Sequence, residues 1–161
     1  MSCGDVAIRD VTIADVDQLR KFRCASEMPF ERDVEDFIHD RAWSLMSSAD
    51  LRSRQFQGAW HGDELVGLTM HEAEPRFDED CTYIRLIAVS QPWQGVTLKA
   101  GDKVVDRLMR AVLSRRSGPL ASADIHDDNA RSLAVFARYV NIIFTADRDE
   151  YGIRLRAGEW K

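Results

Sequence analysis

Apolar and polar residues alternate along Val6-Ala7-Ile8-Arg9-Asp10-Val11-Thr12, which predicts an opening strand. Val16, Leu19, Phe22 and Ala25 then recur at helical spacing. Thr12, with Asp15 three residues on, resembles a capping box, and Pro29 is expected to break this helix. A second helix carries Val34, Phe37, Ile38, Leu45 and Met46 on one face. Phe56, Gly58 and Trp60 alternate, His61-Gly62-Asp63-Glu64 turns, and Leu65 to Met70 returns, which reads as a hairpin. The acidic stretch Glu72 to Asp80 reads as a loop. Cys81 to Val89 reads as a central strand, with Ile84, Leu86 and Ala88 on one face and Tyr83, Arg85, Ile87 and Val89 on the other.

The junction that follows is the most informative part of the chain. The strand runs into a polar, glycine-marked loop, Ser90 to Gly101, and then into an amphipathic helix carrying Val104, Val105, Leu108, Met109, Val112 and Leu113. Such a junction points backbone N–H groups at a helix N-terminus, an arrangement able to bind a phosphate chain. Leu120 to Ile125 predicts another strand, and Asn129 to Val140 a helix with Leu133, Phe136, Ala137 and Val140 on its apolar stripe. Ile142 to Thr145 and Tyr151 to Leu155 predict a closing pair of strands. The order β-α-α-β-β-β-α-β-α-β-β implies one domain over residues 1–161. Its class is α/β of the α+β kind, a mixed sheet of about six to seven strands flanked by about four helices.

Composition narrows the partners. The 161 residues are 45% hydrophobic and 30% charged, ordinary for a globular domain. A net charge of −5 argues against a dedicated nucleic-acid binder, which needs a basic face. No apolar run approaches the length that spans a bilayer, and the first residues carry no apolar signal region. Cys3, Cys24 and Cys81 are odd in number and widely spaced, which disfavours a zinc site or disulfide framework and suits a reducing cytoplasm. No metal is expected.

Four short motifs in order resemble the GNAT superfamily of N-acetyltransferases. Ile8 to Asp15 looks like its opening strand and helix start, and Glu64-Leu65-Val66-Gly67 like its hairpin. Ile87-Ala88-Val89 with Pro92-Trp93-Gln94-Gly95 looks like the start of its acetyl-CoA loop, and Asn129 to Phe136 like its C-terminal helix. The resemblance implies a V-shaped opening beside the strand that ends at Val89. Acetyl-CoA would lie in it as co-substrate, its pantetheine on backbone groups of Ile87 and Val89. It also implies cofactor contacts at Ala88, Gln94, Gly95, Val96, Thr97, Lys99, Ala100, Gly101, Asn129, Ser132 and Phe136. The loop departs from the family's (Q/R)-x-x-G-x-(G/A) pattern. If Gly101 takes the last glycine position, the loop is about two residues longer than that pattern and Lys99 stands at the middle glycine, where its ammonium would aid the pyrophosphate or its Cβ would block close approach. Asn129 is equally suited to be a helix N-cap.

Acetyl transfer to an amine needs a free amine, a stabilised oxyanion and, for the leaving thiolate, a proton. The resemblance implies a tyrosine acid at position 136, where this chain has Phe136. Tyr139 is the replacement if the helix is rotated, and a packed aromatic with a satisfied hydroxyl is the competing reading. Tyr83 is the candidate on the base side, a poor base unless perturbed, so a water relay is expected. His71 and Glu72 at a strand end are candidates for amine binding, against a solvated strand end. His126 reads as a strand-end residue. The carboxylates Glu27, Glu31, Asp33, Glu35, Asp36 and Asp40 would attract a cationic amine or simply form a solvated helix face. The expected activity is transfer of an acetyl group from acetyl-CoA to a primary amine of a small molecule or peptide. The alternative is a non-catalytic module of the same fold that binds acyl-CoA or another ligand. A homodimer, with Trp93 or Trp160 at its interface, is the remaining expectation.

Overall fold

The computed structural model describes residues 5–26, 28–46, 54–76 and 79–161; Cys3 and Glu27 lie outside them. Seven strands form one sheet: β1 (Ala7–Asp10), β2 (Arg54–His61), β3 (Glu64–Arg76), β4 (Glu79–Val89), β5 (Leu120–His126), β6 (Val140–Thr145) and β7 (Ile153–Trp160). Their spatial order is β1-β2-β3-β4-β5-β7-β6. All neighbours pair antiparallel except β4 and β5, which are parallel. The helices are α1 (Val16–Lys21), α2 (Pro29–Asp40), α3 (Ala42–Met46), α4 (Val104–Ser114) and α5 (Ala130–Tyr139).

Several boundaries differ from the sequence pattern for local reasons. The Asp15 carboxylate accepts from the Thr12 amide at 2.9 Å, so the capping interaction forms, over a short 3-10 turn that leads into α1. That helix ends at Lys21, and Phe22 is already extended, so Ala25 lies outside it. Pro29 is not its terminator but the first residue of α2, where a missing amide hydrogen costs nothing. The second predicted helix is two, broken at Arg41. The acidic stretch expected as a loop is largely strand: Glu72 to Arg76 pair with Tyr83 to Glu79 as the long end of a hairpin.

One irregularity redirects side chains. The β3–β4 register slips between Met70 and His71: Met70 opposes Leu86 and His71 opposes Ile84, leaving Arg85 as an extra residue. A bulge breaks the two-residue alternation. Ile84 therefore joins Ile87 on the α4–α5 side, while Leu86 and Ala88 pack on the α1–α3 side. The even alternation expected across this strand holds only within each half.

The apolar residues divide into three clusters around the sheet. One lies under α1, α2 and α3 and includes Leu19, Ile38, Phe56, Trp60, Leu68 and Met70. A second holds the first half of α4 on β2 and β3 through Ala59, Val66, Trp93, Leu98, Val104 and Leu108. The third joins α4 and α5 to β5 through Met109, Val112, Ala123, Ile125, Val135 and Phe136. Trp93 is 4% exposed inside the second cluster, so it is a core residue and not an interface residue. Trp160 packs against the third.

Candidate active site

The sheet is open in the middle. β4 and β5 pair only through Cys81, Thr82 and Tyr83 against Leu120, Ala121 and Ser122. Beyond Tyr83 and Ser122 both strands continue, β4 to Val89 and β5 to His126, without pairing to each other. The inner edge of β4 is thereby uncovered. The Ser90 amide donates to Val66 at 2.9 Å, which fixes the ladder phase. Alternate residues of an antiparallel ladder point their backbone groups in opposite directions. Ala88 thus faces β3, and Ile87 and Val89 turn their N–H and C=O groups into the opening.

Two cavities fill this opening and meet in it. The first, about 130 Å³, lies between the end of β4, the segment after it, and the starts of α2, α4 and α5. The second, about 500 Å³, passes from the α2 face through the split toward α5. Both are lined by Phe30, Val34, Ile87, Asn129, Ser132 and Val135, so they are two arms of one cleft.

The loop before α4 does not have the expected shape. Thr97 and Lys103 form an isolated antiparallel bridge, and the chain between them makes a small hairpin. The Leu98 amide donates to Asp102 at 2.6 Å and the Gly101 amide to Leu98 at 2.9 Å, so these donors are spent inside the turn. Gly101 occupies the left-handed region at φ 92°, which suits glycine at such a tip. The Val96 amide also has a backbone partner, Trp93, at 3.3 Å. Val96, Thr97, Lys99, Ala100 and Gly101 are not among the residues lining either arm. Gly95 and the α4 start, Lys103 to Val105, line the first arm instead.

Gln94 ties this arm together. Its amide nitrogen donates to the carbonyls of Cys24 and Val89, each at 2.9 Å, and its oxygen accepts from Arg131 at 2.9 Å. Asn129 caps α5, its Oδ1 accepting from the Ser132 amide at 3.1 Å. That leaves the Asn129 NH2 group for anything in the cleft. Glu31 on the opposite wall accepts from Ser26 at 2.8 Å. Burial works against its charge, but the Ser26 bonds and the Arg131 charge hold its carboxyl below the usual range. Cys24 also lines this arm, its thiol pushed up to about 12 by burial and by Glu35, so it is not a ready nucleophile.

A two-armed cleft thus lies between splayed central strands. Residues 17–141 match the family model described as the acetyltransferase (GNAT) family. The chain belongs to the GNAT family. The PaiA N-acetyltransferase from Thermoplasma acidophilum, solved with coenzyme A, superposes with a TM-score of 0.68 at 10% identity, covering 97% of this chain and 99% of that one. An acetyltransferase from Thermus thermophilus gives 0.67 at 15% identity over 99% of both chains. Arabidopsis thaliana NAA60, solved with a bisubstrate analogue, gives 0.59 at 11% identity over 97% of both. No protein with a curated function matches the sequence.

Within this GNAT fold the second arm carries groups that sequence reasoning passed over. The Tyr83 hydroxyl donates to Asp124 Oδ2 at 2.7 Å, across the point where β4 and β5 part. Burial and the Asp124 carboxylate push the phenol well above its ordinary range, so Tyr83 is a neutral donor and not a base. The bulge at Arg85 reverses the alternation beyond it, so Tyr83 does not share a face with Ile87 and Val89. Phe30 stacks on His126 with ring centroids 5.1 Å apart, closing α2 over the end of β5. No single stretch of sequence announced Asp124, Lys103 or Arg131, because each matters only through a partner distant in the chain.

Tyr139, His71 and Glu72 line neither arm of the cleft. Tyr139 donates to Asp106 at 2.7 Å beside the start of α4, and burial with that carboxylate pushes its phenol up to about 12. Burial also works against the Asp106 charge, but bonds from Tyr139 and Arg138 outweigh it and hold the carboxyl low. Tyr139 lines neither arm, which favours the packed-aromatic reading. Phe136 is 3% exposed and forms part of the second arm's wall. His71 is buried beneath α4 with Gln57 at 3.0 Å, and Glu72 is bound by Arg54 at 2.9 Å and Arg85 at 3.4 Å. Among the described residues no cluster of metal-ligating side chains occurs, and no helix is long and apolar enough to cross a membrane. Cys24 and Cys81 are buried thiols.

Proposed function

We propose that the protein is an N-acetyltransferase that moves an acetyl group from acetyl-CoA to a primary amine. The observation that carries this reading is the opening of β4 beyond Tyr83, with Ile87 and Val89 facing two joined cavities. The pantetheine chain then runs along Ile87, Ala88 and Val89, with Asn129 and Ser132 opposite. Val89 already gives its carbonyl to Gln94, so its amide and the Ile87 groups are the pairing partners. The pyrophosphate sits by Gly95 and the first amides of α4, which have no partner inside the helix. Lys103 and Arg131 supply the positive charge there that the tip of the 97–103 hairpin does not.

The thioester end falls where the two arms meet, which opens the larger arm to the amine. Among the described residues no phenol faces this point as an acid, so the thiolate leaves directly or takes its proton from the attacking nitrogen or from water. The same absence favours a second reading, a non-catalytic acyl-CoA-binding module. A reducing compartment such as the cytoplasm fits the buried thiols Cys24 and Cys81. Ile143, 65% exposed on edge strand β6, is a candidate position for contact with a second copy.

Melting the protein with and without acetyl-CoA tests the binding. A ligand of the native state must raise the midpoint, and no shift at millimolar acetyl-CoA overturns both readings. Thiol release across a panel of primary amines then separates enzyme from module.

A further inference from the structure

The larger arm shows how an amine would be received. β5 presents Asp124 two residues beyond its last pair with β4, on the side of α2. Its carboxylate meets no cation at salt-bridge distance among the described residues; its contact is the Tyr83 hydroxyl, a neutral donor. Tyr83 satisfies one oxygen and leaves the rest of the carboxylate toward the cavity. Around it the wall is apolar and aromatic: Phe30, Val34 and Phe37 from α2, with Leu86 and Ile153 opposite. Asp33 and His126 line the same arm, as do two guanidinium groups, Arg41 and Arg85, the latter shared with Glu72. This is not a polyanionic trough. Its two carboxylates, Asp33 and Asp124, are offset by two arginines, so a ligand with several positive charges gains no net attraction, whereas a single ammonium on an apolar body finds Asp124 and a greasy wall.

We propose that Asp124 binds and deprotonates the acceptor nitrogen, that Tyr83 positions Asp124 for it, and that the acceptor is a monoamine on an apolar, ring-sized body seated between Phe30 and Phe37. This rests on the acetyltransferase reading. The bound ammonium first loses one proton through Asp124 to solvent, and the neutral amine then forms a C–N bond to the thioester carbonyl while remaining hydrogen-bonded to the Asp124 carboxylate. The nitrogen becomes acidic as that bond forms, and its proton passes to the Asp124 carboxylate and on to solvent. The C–S bond then breaks, its electron pair stays on sulfur, and water protonates the thiolate. Nothing is oxidised or reduced. The products are the N-acetyl amine and the free thiol of coenzyme A. Asp124 is the catalytic residue in this step. Tyr83 acts through it.

The test uses 2-phenylethylamine and spermidine as probes with the full chain and acetyl-CoA. Wild type is expected to turn over 2-phenylethylamine with a kcat/KM at least about tenfold above that for spermidine. Asp124→Asn is expected to lower kcat for 2-phenylethylamine by about 100-fold or more, within the usual range for a lost general base. Its acetyl-CoA melting shift is expected to match wild type. Asp124→Glu is expected to recover part of the rate, and Tyr83→Phe to raise KM and lower kcat less than Asp124→Asn does. Calorimetric titration of 2-phenylethylamine into protein saturated with coenzyme A reads the acceptor site without turnover, and Asp124→Asn is expected to abolish that heat. If Asp124→Asn keeps kcat/KM within about twofold of wild type, or if spermidine is preferred, the proposal is wrong while the acetyltransferase reading stands. If wild type shows no acetyl-CoA shift, both fall together. An acetyl-CoA shift without binding or turnover of 2-phenylethylamine overturns the proposal alone.

Discussion

Thr97 and Lys103 bridge to each other as two antiparallel residues, and everything between them is carried away from the cofactor arm as a hairpin. The bridge lets the chain hold its extra residues without displacing α4. It also changes which lysine borders the cleft. Lys99 stands at an exposed turn, and Lys103 lines the cleft at the helix start. Lys99→Ala is therefore expected to leave the acetyl-CoA melting shift unchanged, and Lys103→Ala to weaken acetyl-CoA binding by about tenfold, near 1.4 kcal/mol. Titration calorimetry with acetyl-CoA checks both. Equal effects of the two variants would place the anion at the tip of the hairpin instead.

Asn129 carries two roles that one variant separates. Its Oδ1 caps α5 and its NH2 faces the cleft. Asn129→Ala is expected to cost about 1 kcal/mol of stability through the lost cap and to lower acetyl-CoA affinity. Asn129→Asp keeps an acceptor for the Ser132 amide but removes the donor and adds a negative charge. It is expected to keep the melting temperature of the apo protein and still lose acetyl-CoA affinity. A normal affinity in Asn129→Asp would make Asn129 a cap and nothing more.

The strand and helix order was legible because it is written in periodicity, whereas the opening beside Val89 came only from the family resemblance, since no local pattern marks where two strands part. Asn129 was legible as a cap because asparagine suits the position before a helix. The bulge at Arg85 was not. It carries no glycine or proline, and it arises from how β3 and β4 align over many residues. Asp124 was hidden for a related reason. Its segment read only as another short strand, and the folded sheet alone brings Tyr83 to it from 41 positions away. Pro29 misled in the other direction, since a proline that ends one helix and a proline that starts the next look alike before the boundary is known.

Gly67 sets how closely α4 rides on the sheet. A Cβ there would meet Val104 Cγ1 at 2.8 Å and Leu108 Cδ1 at 2.9 Å. Both atoms belong to buried side chains with no room to retreat. Gly67→Ala is expected to cost about 1–3 kcal/mol through overpacking. Because Val104 is the first residue of α4, the same push displaces the helix start that lines the cofactor arm. A lowered melting temperature together with a reduced acetyl-CoA shift is the expected pair of results. A lowered melting temperature with full acetyl-CoA affinity would mean that the helix start does not contact the anion.

His71 gives the fold a pH dependence of its own. It is 2% exposed, and burial, with a smaller push from Arg115, lowers its pKa from 6.5 to about 4. The neutral ring satisfies Gln57 Oε1 by donating from Nε2 at 3.0 Å. In the unfolded chain the ring takes a proton below about pH 6.5, whereas in the folded protein it stays neutral until about pH 4. The unfolded state thus binds more protons across that window, and stability falls as the pH falls through it. The full shift corresponds to roughly 3 kcal/mol. His71→Gln keeps an N–H donor for Gln57 and cannot titrate. Urea unfolding at about pH 7 and about pH 4.5 is expected to show the wild type losing about 2–3 kcal/mol more than His71→Gln between the two conditions. Equal losses would show that the ring is protonated inside the fold or reaches solvent through an opening beneath α4.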